Sequence, residues 1–180
     1  DTISVWYCKD LKMKKIKSFK YPYSLGLLYS AVTKRIGLKP NEDEYITMGM
    51  AAFGEPKYNL SFLLDQNNHK GVGNIFPKAR TEDLAASVQC LYESELLKLI
   101  KQYCHHENLI LMGGCALNCV ANSKIENKNI WIMPNPGDCG SSLGAAALVN
   151  KQKLNWKDPY LGYSLLRSNP KKIVNELLKN

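Results

Sequence analysis

The second half of the chain limits the fold most, because it twice repeats one order: a short apolar run, a turn rich in glycine or proline, then helical spacing. Leu109–Met112 predicts a strand that stops at "GGCALNC", with a short helix expected from Ala116. Ile130–Met133 predicts the next strand, which ends in "PNPGDCG" and leads to a helix from about Ser141 to Val149. Runs this short and apolar are expected to be buried on both faces, and with helices between them they predict an α/β layer architecture.

The helix ahead of these strands has the clearest pattern. Leu84, Val88, Leu91, Leu96, Leu99, Ile100 and Tyr103 share an apolar stripe. Thr81 is placed to cap it, with Glu82 and Asp83 complementing the helix dipole. Upstream, Leu25, Leu28, Tyr29, Val32 and Ile36 form another stripe, with Ser24 as cap and Gly37 as stop. Asn41 and Glu44 have capping-box spacing, which opens a helix with Tyr45, Met48 and Ala52 inward, closed by Gly54 and Pro56. "TISVWYC" alternates and "KMKKIKSF" follows it, so a hairpin is expected about Lys9 and Asp10. "NLSFLLDQ" reads as a strand and "NNHKGVGNIFPKAR" as a loop. From Lys151 the chain turns more polar, which suggests a linker and a terminal helix over 151–180.

At 180 residues, with 45% hydrophobic and 22% charged residues, the chain has the size and composition of one folded domain rather than a disordered segment. The longest uncharged run, Asn108 to Ser123, is too short and too polar for a membrane span. The start at Asp1 is read as the start of a piece of a longer polypeptide. Net charge is +8, but only Arg35, Arg80 and Arg167 are arginines, and the lysine clusters lack interleaved aromatics. A solvated basic face is therefore expected, and nucleic acid is not the favoured partner. Cys8, Cys90, Cys104, Cys115, Cys119 and Cys139 are irregularly spaced without a secretory signal, which fits reduced thiols in a cytoplasm. No Cys-x-x-Cys pair suggests zinc.

The two strand-ending loops carry the chemistry. Gly113 and Gly114 leave room for a phosphate or ribose against the main chain, where a helix start favours negative charge. Taken alone, the two glycines fit a tight strand-to-helix turn without a ligand at least as well. Pro134 and Pro136 hold the next loop extended, Gly137 permits an unusual turn, and Asp138 stands at the strand end; Gly140, Ser141, Ser142 and Gly144 give a slender helix start. Asp138 is a candidate to ligate a divalent metal or accept a proton, with helix capping as the alternative.

Together "YSLGLLYSAVT", "EYITMGMAAFG", "GGCALNCVANSKI" and "PNPGDCGSSLGAAAL", in this order, resemble the later half of the amino-terminal domain of NodU/CmcH-type carbamoyltransferases. The resemblance implies an actin-like (ASKHA, ribonuclease H-like) α/β subdomain with a mixed sheet flanked by helices, filling residues 1–150. Residues 151–180 would then lead to a carboxy-terminal domain. It also implies an O-carbamoyltransferase. A companion domain makes carbamoyl adenylate from carbamoyl phosphate and ATP, and this domain transfers the carbamoyl group to a hydroxyl of a sugar or other small acceptor.

By motif, Gly113, Gly114 and Asn118, with Gly137 and Gly140 beside them, would line the nucleotide pocket. Asp138 would be the catalytic aspartate that ligates a divalent metal, usually Fe(II). The family's partner ligands, two histidines in a His-x-x-x-His motif, have no match here and would lie in the remainder of the polypeptide. The isolated chain is therefore expected to be inactive. His69 stands alone, and His105 with His106 is expected to complement a helix end. Ile46 stands where many relatives have lysine. Two alternatives remain: a relative of the tRNA threonylcarbamoyl transferases, and a nucleotide-binding module without catalysis.

Overall fold

The computed structural model describes residues 1–10, 12–66 and 68–151, so the expected linker and terminal helix after Lys151 lie outside it. The chain divides into two compact units, Asp1–Cys139 and a second that begins at Gly140.

Strands β1 (Ile3–Lys9) and β2 (Lys12–Phe19) form the expected antiparallel hairpin. Asp10 turns it in the left-handed region at φ 50°. Trp6 lies opposite Lys15, whose ammonium sits 5.0 Å from the centre of the indole.

Helix α1 (Leu25–Arg35) follows the sequence expectation closely. The Ser24 hydroxyl accepts from the Leu27 N–H, and Leu25, Leu28, Tyr29, Val32 and Ile36 are all buried. At the far end Gly37, at φ 90°, donates to the Lys34 carbonyl while Leu38 donates to that of Thr33, the paired bonds of a Schellman stop.

Helix α2 (Glu44–Met50) begins later than the Asn41 capping box predicts. Half of that box exists, since the Glu44 carboxylate accepts from the Asn41 N–H at 2.7 Å. Asn41 itself is at φ 66°, where its side chain does not serve as the cap. Tyr45 and Ala52 are exposed rather than inward, and Thr47 is the residue that packs, at 0% exposure. Its hydroxyl meets that of Thr33 on α1 at 2.9 Å.

The strand expected over 59–66 is instead a 3-10 turn, Ser61–Leu63. Asn59 explains the difference: its side-chain oxygen accepts from both the Ser61 N–H and the Ser61 hydroxyl and bends the chain locally. Leu60 and Leu63, three apart, are then both buried.

Helix α3 (Thr81–Tyr103) is the spine of the first unit. Thr81 is its first residue and Arg80 its cap, without a side-chain bond, so Thr81 is not the cap the sequence suggests. Asp83 does more than complement the dipole: it is buried, accepts from the Glu55 N–H at 2.9 Å and pairs with Lys57. Leu84, Val88 and Leu99 pack with the α1 stripe, Leu60 and Leu63 in the main core; Ile100, Leu109 and Ile125 form a smaller one.

Strands β3 (Asn108–Leu111) and β4 (Asn129–Ile132) are parallel neighbours, within a residue of the expected bounds. They are not buried on both faces, because Ile110 and Trp131 are each 54% exposed. Among the described residues the strands form two separate two-stranded sheets rather than one mixed sheet. The architecture is mixed α/β. Helix α4 (Cys119–Asn122) follows β3, after a 3-10 turn over Gly114–Leu117, and α5 (Asp138–Asn150) follows β4. No helix among the described residues is long and apolar enough to cross a membrane.

Candidate functional site

Parallel pairing sets Leu109 beside Ile130 and Leu111 beside Ile132, so the loops after β3 and β4 leave the same edge of the sheet. They are tied there: the Gly113 N–H donates to the Pro136 carbonyl at 2.7 Å. Gly113 has φ 90°, a conformation that L side chains rarely adopt. Among the described residues, a Cβ added at Gly113, Gly114 or Gly137 would meet nothing within 4 Å. The glycines thus face open space, which a ligand's flat or charged group has room to occupy. Asp138 is exposed at the end of the second loop and is the first residue of α5, three positions before the expected helix start. Gly140, which opens the second unit, is buried within α5.

Asn118 is heavily engaged inside the protein. Its side-chain oxygen caps α4 by accepting from the Ala121 N–H at 3.0 Å. Its amide also exchanges two bonds with Gln89 on α3, at 2.9 and 3.1 Å. Tyr92, also on α3, donates its hydroxyl to the Cys115 carbonyl at 2.9 Å. Asn122 donates to the Ala116 carbonyl at 2.7 Å, while its buried Oδ1 has no hydrogen-bond partner among the described residues. The Cys115 sulfur lies against α1, 3.2 Å from where a Cβ on Gly26 would stand.

Around these anchors lie Tyr29, Gln89, Tyr92 and Glu93, all buried, with Lys124 ion-paired to Glu93. Burial, reinforced by the carboxylates of Glu93 and Glu44, pushes the Tyr29 phenol far up; burial does the same for Tyr92. Burial thus favours the neutral hydroxyl, the form that donates, in both. None of these five residues stands out as a site residue in the sequence. The available signal is the pair Gln89 and Glu93, four apart and polar on a helix whose neighbouring turns are buried.

Among the described residues no group of three or more histidine, cysteine, aspartate and glutamate side chains is placed to hold a metal ion. Asp138 brings one carboxylate to the end of this loop. Two of the three histidines make ring contacts: His69 with Tyr21 at 5.4 Å and His106 with Tyr7 at 5.0 Å. At the end of α3, Lys128 donates to the Cys104 and His106 carbonyls at 2.7 Å each, and Lys101 lies in the last turn.

Residues 2–72 and 65–147 match the family described as Carbamoyltransferase N-terminus. An uncharacterized protein of Synechocystis sp. is 36% identical over 193 residues, covering 85% of this chain and 31% of that protein. Nodulation protein NolNO of Sinorhizobium fredii is 27% identical, covering 78% of this chain and 25% of its own length. Nodulation protein U of Azorhizobium caulinodans is 30% identical, covering 62% and 23%. The chain spans about a third or less of the length of these relatives. With both strand-ending loops inside the matched residues, the chain belongs to the carbamoyltransferase N-terminus family.

Proposed function

We propose that the whole protein is an O-carbamoyltransferase and that this chain is the later half of its actin-like amino-terminal domain, running over 1–150 and leading through 151–180 to a carboxy-terminal domain. The observation that supports this best is the joined pair of loops after β3 and β4, with Gly113, Gly114 and Gly137 facing open space and Asp138 exposed at the loop end. In this reading the glycine loops receive ATP or carbamoyl adenylate. The acceptor is a hydroxyl of a sugar or similar small molecule. Its oxygen bonds to the carbamoyl carbon, the bond from that carbon to the adenylate phosphate oxygen breaks, AMP leaves and the hydroxyl proton is released.

Asp138 would donate its carboxylate to a divalent metal, Fe(II) in the form the family resemblance favours, completed by histidines elsewhere in the polypeptide. Such an ion, when bound, polarises the carbamoyl oxygen. The protein would act in the cytoplasm.

The test is AMP release by the full-length parent supplied with ATP, carbamoyl phosphate and a panel of hydroxylated sugars. AMP that requires carbamoyl phosphate and rises with one acceptor supports transfer. Asp138→Ala is expected to cut that turnover at least about 100-fold, roughly 2.7 kcal/mol, with the fold intact. Near-normal turnover in the variant would remove Asp138 from the chemistry.

The exposed lysines of the β1–β2 hairpin, Lys9, Lys12, Lys14, Lys15 and Lys17, favour a second reading, modification of a tRNA acceptor. Product on tRNA, with none on sugars, would select it.

A further inference from the structure

We infer that Gln89 is a positioning residue for the Gly113–Asn118 loop: its carboxamide, held on α3, fixes Asn118 at the loop's end. What the loop binds rests on the function proposed above, but how the loop is held does not.

Gln89 is 5% exposed. A carboxamide has two N–H donors and two acceptor lone pairs. Here all four are engaged. The oxygen accepts from the Tyr29 hydroxyl at 2.8 Å and from Asn118 Nδ2 at 2.9 Å. The nitrogen donates to Glu93 at 2.8 Å and to Asn118 Oδ1 at 3.1 Å. Turning the amide over would set its oxygen against the Glu93 carboxylate, which only accepts. Gln89 therefore presents one face to Asn118, in one orientation.

The loop needs such an anchor because its glycines hold themselves poorly. Gly113 and Gly114 touch nothing through a side chain, and the 3-10 turn that follows is four residues long. Asn118 closes that turn and opens α4, with both lone pairs of its oxygen taken by Gln89 and Ala121. At the other end of α4, Lys124 pairs with Glu93, one turn along α3 from Gln89. Helix α3 thus holds the segment at both ends. Asn118 acts as an anchor of the loop.

The experiment uses the full-length parent as wild type, Gln89→Met, Asn118→Asp and the double variant. Amide hydrogen exchange and the Kd for ATP are measured on each. Met fills the space of Gln without its donors; Asp keeps the α4 cap but loses the Nδ2 donor. Exchange over 114–122 is expected to rise about tenfold in each single variant, with residues 3–9 of β1 unchanged and ATP affinity about tenfold weaker. The double variant should be no worse than about twofold beyond either single. Unchanged exchange in the loop overturns the inference. So does an equal rise across β1 and α2 with unchanged ATP affinity, which is the mark of general destabilisation. If Gln89→Met does not fold, Asn118→Asp is read by the same two measurements. A wild type that binds no ATP, with loop exchange still faster in the variants, refutes the nucleotide reading alone and leaves the positioning role supported.

Discussion

Gly54 is the position where one added carbon should matter most. It sits at φ −119° and ψ 175°, which any residue adopts, so its backbone does not require glycine. Its neighbours do. A Cβ there would stand 2.0 Å from the Glu82 carbonyl oxygen, 2.2 Å from its carbon and 2.7 Å from the Asp83 nitrogen, all main-chain atoms in the first turn of α3. Alanine at 54 must push that turn away by about 1 Å to reach 3.0 Å, the least that real Cβ contacts show. Overpacking costs about 1–3 kcal/mol, and rigid backbone on both sides puts this case near the upper figure. The displacement also strains the Tyr58 N–H bond to Ser87 at 3.1 Å, worth about 1 kcal/mol more. A loss of about 4 kcal/mol in a protein of this size lowers Tm by about 8–16 °C. Gly49→Ala is the control, because nothing lies within 4 Å of its Cβ and alanine is the better helix former by up to about 1 kcal/mol. Thermal unfolding followed by circular dichroism measures both. If Gly54→Ala melts within about 2 °C of the wild type, a change worth under ~1 kcal/mol, the close approach of this segment to α3 is wrong.

Two further predictions concern buried polar groups. The Glu55 N–H, helped by Lys57, holds the Asp83 carboxyl below its ordinary range near ~3.9, so its stabilisation is complete above that range and is lost as pH falls through the lower folded value. Urea midpoints of the wild type should fall more steeply than those of Asp83→Asn as pH drops below the ordinary carboxylate range, and parallel slopes would contradict the assignment. Thr33→Val and Thr47→Val should each cost about 1–3 kcal/mol, because each leaves one fully buried hydroxyl alone. The double variant should be more stable than either single, and simple additivity in denaturant unfolding would refute the pairing.

Elements whose cause is local were readable from the sequence. The α1 stripe, its Ser24 cap and its Gly37 stop depend on residues within a few positions, and each stands as expected. The 59–66 strand failed because the Asn59 side chain, a local competitor, overrode an apolar run that suits strand and turn alike. For Asn41, a cap spacing was present but the backbone went left-handed. The burial of β3 and β4 failed for another reason: an apolar run shows that a strand can be covered, not that both faces are. Glycine shows the same limit most clearly. Gly37 and Gly113 are there for torsion, Gly54 for the close approach of another segment, and one letter stands for both reasons. The loop after β3 combines the two kinds of cause. Its composition announces room for a ligand, but its position depends on Gln89, 29 residues upstream on a helix whose sequence reads as ordinary amphipathic packing. Local chemistry can thus identify the loop, while contacts distant in sequence, with α3 and with the Pro136 carbonyl, explain why it stands where a ligand could use it.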